Sequence, residues 1–177
     1  LGFTERQQED LRFLSMRTGL NIISGPTGHG KSTLLKHLME SMAEDNPEKA
    51  FMSIEDPPEF PMRGVDQVLV STKAGTDPLM RGRTYTDAIA GAMRSDPDTL
   101  MIGEVRYPEA AVAAINAAMT GHGVWGTIHA NNAFGIIPRM VSLLNAANFV
   151  EAMEHFCDPN VLAGLTYQRL VPVLCPH

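Results

Sequence analysis

Residues 25–33 read Gly-Pro-Thr-Gly-His-Gly-Lys-Ser-Thr, three glycines and a lysine followed by two hydroxyls. Gly25, Gly30, Lys31 and Ser32 stand at the spacing of a phosphate-binding loop, G-x-x-x-x-G-K-S. Glycines let the backbone curl so that successive N–H groups point inward around an anion. A helix opening near Lys31 adds the positive end of its dipole. Lys31 supplies a cation for the β- and γ-phosphates, and Ser32 can ligate Mg2+. Pro26, Thr27, Gly28, His29 and Thr33 complete the loop, with His29 at a variable position. The expected ligand is a nucleoside triphosphate, ATP, with Mg2+.

Hydrolysis would need acids near the γ-phosphate, one to organise the metal and one to position or activate water. In open α/β sheets such groups emerge at the carboxyl ends of strands. Two places qualify. In "MSIEDPPEF", Glu55 and Asp56 end an apolar run, and strand alternation turns only one of them toward the metal. In "LMIGEVR", Glu104 follows a second apolar run with Arg106 close behind. Glu104 is expected on the metal side and Glu55 beside the water. "TGHGVWGTIHANNA" places His122 before a strand and His129 at its end, where a histidine could contact the γ-phosphate. Zinc is disfavoured, because no cysteine or further histidine lies at ligand spacing. His37 and His155 read as ordinary helix residues.

These groups need a scaffold, and the remaining sequence supplies an α/β one. A helix is expected over residues 4–17, with Thr4 and Gln7 forming a capping box. "LNII" reads as a strand into the glycine loop, and "KSTLLKHLMESM" has the apolar spacing of a helix. "AFMSIED", "VDQVLV", "TLMIGEV" and "VWGTIH" read as strands. Residues 71–83 read as a polar connection before a helix starting with Thr84 and Asp87. "PEAAVAAINAAM" reads as a helix with Pro108 in its first turn. Further helices are expected around 133–146, 149–156 and 159–167, with "QRLVPVL" as a closing strand. Short, nearly all-apolar strands alternating with helices imply a mostly parallel sheet covered on both faces.

The 177 residues suffice for one domain with a core, and the net charge of −6 lowers the expectation of a nucleic-acid partner. No apolar run is long enough to cross a bilayer, and no signal peptide is visible. Cys157 and Cys175 give no disulfide framework and fit a reducing compartment.

Together, "GPTGHGKST", "SIEDPPEF", "LMIGEVR" and "TGHGVWGTIHANNA" resemble, in order, four boxes of the ATPase motors of type II secretion and type IV pilus systems. Relatives of that family serve type IV secretion and conjugation. The resemblance spans residues 19–175. It implies a RecA-like P-loop domain with a mostly parallel sheet, acting in a homo-hexamer at the cytoplasmic face of a bacterial inner membrane. Hydrolysis between subunits would drive a membrane platform protein that adds or removes pilin subunits. Under the resemblance, Lys31 and Ser32 bind phosphate and Mg2+, and Glu55 is the catalytic glutamate. Glu104 is the Walker B acid, His129 the phosphate-sensing histidine, and His122 a lesser candidate. Family members usually carry an N-terminal domain that contributes arginines, and none is evident. Residues 1–177 are therefore expected to be the C-terminal ATPase domain of a longer protein. "LCPH" resembles the start of a zinc module at Cys175, and the chain by itself is expected not to bind zinc. Arg63, Arg81 and Arg83 could reach a neighbouring subunit's phosphates; each reads equally as a solvated loop arginine. Two other functions fit the phosphate loop: a DNA-translocating RecA-like ATPase and a nucleotide switch of low turnover. The acidic balance argues against the first.

Overall fold

A computed structural model describes residues 2–70 and 78–172, omitting the side chains of 78–83. The apolar runs form the strands β1 (Gly19–Ser24), β2 (Phe51–Glu55), β3 (Asp66–Leu69), β4 (Thr99–Ile102) and β5 (Gly123–Ile128). A sixth, β6, spans Leu162–Tyr167. All pair in parallel, in the order β3-β2-β4-β5-β1-β6. The helices are α1 (Glu5–Ser15), α2 (Lys31–Asp45), α3 (Pro78–Met93), α4 (Pro108–Met119), α5 (Ile136–Ala146) and α6 (Ala152–Cys157).

Strand alternation divides the core into two layers. Leu20, Ile22, Ile54, Leu100, Ile102 and Val124 face a layer covered by α3, α4 and α5. Ile23, Phe51, Met101 and Trp125 face the other, against Leu34, Leu35, Met39 and Met42 of α2. The strands are therefore apolar on both sides, as a doubly covered parallel sheet requires. Five buried alanines on α4 let that helix lie close to the sheet. Thr4 caps α1 as predicted: its hydroxyl accepts from the Gln7 N–H at 3.3 Å, and its N–H donates to Gln7 Oε1 at 2.9 Å.

Three expectations change. The segment read as a helix over 159–167 is an extended strand, β6. Val161, Leu162 and Leu165 imitate helical spacing, but pairing with β1 satisfies the backbone of both strands. Gly164 is required there, because a Cβ would stand 2.7 Å from Leu14 Cδ2 and 2.8 Å from Asn21 Oδ1. "QRLVPVL" does not close the sheet: residues 168–172 have no regular structure, and Cys175 lies outside the described residues. Finally, α3 begins at Pro78 rather than Thr84, with proline in the first turn, where its missing N–H has no helical role. Residues 71–77 of the expected connection lie outside the described residues.

Asn21 is a polar residue in the middle of the sheet. It is 1% exposed, and neither Nδ2 nor Oδ1 has a hydrogen-bond partner among the described residues. Each unpaired buried group costs about 1–3 kcal/mol. Asn21→Val removes both groups and suits a strand. The substitution is expected to raise Tm by about 2–10 °C, read by thermal unfolding. An unchanged or lower Tm would mean that the carboxamide has a partner such as a buried water.

Candidate active site

Four strand ends converge at one edge of the sheet. β1 runs into the phosphate loop, whose Gly28 and Gly30 adopt φ of +77° and +79°. Gly30 is the N-cap of α2, so the loop ends at that helix's N-terminus, as the motif predicts. Lys31 Nζ donates to the carbonyl oxygens of Gly25 and Pro26, each at 2.9 Å. Burial lowers the pKa of the Lys31 ammonium, against an upward pull from Glu104 and Glu59. Thr27, Gly28, Gly30, Lys31, Ser32 and Thr33 line a cavity of about 520 Å³.

Across that cavity stand Glu55, Asp56, Glu59 and Glu104. Glu55 shares a strand face with Phe51 of the α2 layer, which turns its carboxylate toward the phosphate loop. It is 8% exposed, and Oε1 accepts from Ser53 Oγ at 2.8 Å and from Gln67 Nε2 at 3.1 Å. Gly103 lies beneath it, where a Cβ would come within 3.2 Å of Glu55 Cγ. Asp56 follows at the rim, joined to Pro57 by a cis peptide bond.

Glu104 leaves β4 one residue after Gly103. Arg106 Nη2 donates to its Oε2, and His129 Nε2 lies 3.3 Å from its Oε1. The bond to Glu104 raises the pKa of the Arg106 guanidinium. Thr127 Oγ1 donates to the Gly103 carbonyl at 2.5 Å, bracing β5 against the turn that carries Glu104. Lys31, Glu55, Glu104 and His129, 98 residues apart in the chain at their extremes, therefore share one cavity. Arg106 joins them.

The other candidates fall elsewhere. His122 lies before β5, at the opposite end of the sheet. Its Nδ1 sits 3.0 Å from Thr120 Oγ1 and 3.1 Å from the Ala117 carbonyl, a structural cap for α4. Arg63 pairs with Glu44 at 3.1 Å and Glu40 at 3.8 Å, both on α2. The side chains of Arg81 and Arg83 lie outside the described residues. Ser53, Gln67 and Tyr85 are among the site residues that escaped the sequence reading. Ser53, two positions before Glu55, was legible from strand alternation. Gln67 was not, because only the β2–β3 register brings it beside Ser53. Tyr85, 3% exposed, lines the cavity from α3. Desolvation raises its phenol pKa strongly, and the Asp56 charge adds to the rise.

No group of three His, Cys, Asp or Glu among the described residues could hold a metal ion unaided. Mg2+ in nucleotide sites takes one or two protein oxygens and completes its shell with phosphates and water. A larger depression of about 610 Å³ between α1 and α2 lies at the opposite end of the strands and contains no loop residue before α2. Cation, carboxylates and phosphate-loop backbone converge in the smaller cavity.

The family model described as "Type II/IV secretion system protein" matches residues 1–177. The chain belongs to this family. Its "Putative type II secretion system protein E" relative from Escherichia coli strain K12 is 33% identical over 178 residues, covering 100% of this chain and 33% of the relative. "Type II secretion system ATPase E" of Vibrio cholerae serotype O1 is 33% identical over 177 residues, covering 99% of this chain and 32% of the relative. The chain thus spans about a third of the length of these curated relatives. Among solved structures, "Crystal Structure of the Pilus Retraction Motor PilT and Bound ADP" superposes with a TM-score of 0.68 at 30% identity. The match covers 88% of this chain and 43% of that one. The family and the α/β fold expected from the four boxes are both borne out.

Proposed function

We propose that the chain is the ATP-hydrolysing domain of a hexameric motor that powers a pilus or secretion machine at the bacterial inner membrane. The carrying observation is the convergence of Lys31, Glu55, Glu104 and His129 on one cavity beside the phosphate loop. The names of the relatives point the same way: a secretion ATPase and a pilus motor. Membrane attachment would run through a platform protein; no helix among the described residues is long and apolar enough to cross a membrane. No direct contact with nucleic acid is proposed.

The geometry supports a division of labour. Backbone N–H groups of residues 27–33 and the α2 terminus hold the phosphates. Lys31 turns from its two loop carbonyls to the β- and γ-phosphates. Ser32 and Glu104 would hold Mg2+, Glu104 through water, and the ion would neutralise charge on the transferring phosphoryl group. Glu55, fixed by Ser53 and Gln67, orients water and accepts its proton. His129, beside Glu104 on the neighbouring strand end, is placed to register the γ-phosphate.

Among the described residues, four carboxylates line the cavity with two full cations, Lys31 and Arg106. A bound triphosphate adds more negative charge, so further cations are needed during phosphoryl transfer. A neighbouring subunit is the proposed source. Specific ATPase activity is accordingly expected to rise with protein concentration, with Lys31→Ala as the blank. Activity that is flat with concentration would mean that one subunit completes the site, and would sink the ring motor in favour of a switch.

A further inference from the structure

The nucleotide cavity has two ends, set by the strand order. β1, which carries the phosphate loop, lies between β5 and β6. Glu55, Glu104 and His129 leave β2, β4 and β5, all on one side of β1, and β6 alone lies on the other. A triphosphate whose terminal phosphate faces the carboxylates therefore directs its nucleoside toward the β6 side.

There the chain leaving β6 is fastened along the loop. The Gln168 N–H donates to the Ser24 carbonyl at 2.8 Å. The Gln168 carbonyl presses so closely on Gly25 that a Cβ there would stand 2.1 Å from its oxygen. The Leu170 N–H donates to His29 Nδ1 at 3.2 Å. These contacts hold residues 168–170 in place although no strand continues through them. Leu170 consequently stands beside Gly30, its Cδ2 3.7 Å from the point a Cβ would occupy. It lines the cavity and is 57% exposed.

Among the described lining residues, the other exposed large apolar side chain is Phe60. Phe60 belongs to the carboxylate end. It follows β2, its carbonyl accepts from the same Gln67 that holds Glu55, and Lys36 lies 5.4 Å from its ring. Leu170 is left as the apolar surface on the nucleoside side. A nucleobase presents a flat, largely apolar face, which gains from leaving water against such a side chain.

We propose that Leu170 is the platform for the base of the bound nucleoside triphosphate, and that His29, through its hydrogen bond to the Leu170 backbone, positions that platform. The proposal rests on the phosphate-loop reading and gives the variable loop residue His29 a task. An aliphatic platform makes no hydrogen bonds, so it holds the base without choosing among purines.

Calorimetric titration of the whole chain with ATP and, separately, with inorganic tripolyphosphate tests it, both with Mg2+ present. Leu170→Ser, which removes the apolar surface without adding charge beside the phosphate loop, is expected to weaken ATP binding about tenfold while changing tripolyphosphate binding less than about twofold. Leu170→Met, which keeps an apolar side chain, should bind ATP within a few fold of the wild type. His29→Ala should weaken ATP more than tripolyphosphate, with a smaller loss for ATP than Leu170→Ser. Leu170 is exposed, so unchanged thermal unfolding of the variants is expected. Equal weakening of both ligands by Leu170→Ser, or no weakening of ATP, would overturn the proposal. So would a wild-type chain that binds tripolyphosphate as tightly as ATP, with the phosphate loop left standing. A wild-type chain that binds neither ligand would remove the phosphate-loop reading and the platform with it.

Discussion

Lys31→Ala is expected to lower kcat/KM for ATP by about 10²–10⁴-fold and to weaken nucleotide binding along with it. Lys31 Nζ already makes two hydrogen bonds to loop carbonyls, so its side chain is aimed inward before any phosphate arrives. Exchanging those acceptors for phosphate oxygens gives charge-assisted bonds worth about 1.5–3 kcal/mol each. Losing two such bonds accounts for the expected range. The loss should fall on binding as well as turnover, since in the proposed site Lys31 would contact phosphate in the ground state and in the transition state alike. Removing Lys31 also leaves Glu104 and Glu59 without the cation whose charge they feel across the cavity. Calorimetric ATP binding and single-turnover hydrolysis check both parts. Retained hydrolysis would sink the phosphate-loop assignment.

Glu55→Gln is expected to separate the two effects. Glutamine has nearly the same shape, and its Oε1 can still accept from Ser53 and Gln67. ATP affinity should therefore stay within a few fold. Turnover should fall by about 10²–10⁴-fold, the usual contribution of a positioned general base. Glutamine in place of the carboxylate cannot accept the proton of the attacking water. Asp56, the next residue, lies beyond the end of β2 and also lines the cavity. If Glu55→Gln left hydrolysis unaltered, the water-positioning role would pass elsewhere, and a nucleotide switch of low turnover would become the better reading. The pair of substitutions thus distinguishes binding from chemistry. Lys31→Ala should lose both, and Glu55→Gln only the second.

The sequence by itself determined the phosphate loop, because that site is local. Its glycines, lysine and hydroxyls lie within nine consecutive residues, and backbone geometry alone makes them a cradle. It also determined the two-faced parallel sheet, since short apolar runs alternating with helices have few other ways to bury themselves. Glu55 and Glu104 were legible as strand-end acids, and the four ordered boxes identified the family.

Only the tertiary structure decided what depended on long-range pairing. The two hydrogen bonds that hold Glu55 came from the strand face shared with Ser53 and from Gln67, delivered by the register of β3. The removal of His122 from the site followed from its place at the far end of β5, a strand whose two ends are both marked by histidines in the sequence. β6 was misread as a helix because its edge pairing with β1 overrides a local spacing that suits either form. The fastening of Leu170 to His29 links residues 141 positions apart. No local pattern encodes such a contact, because it exists only once β6 has paired beside the strand that carries the loop.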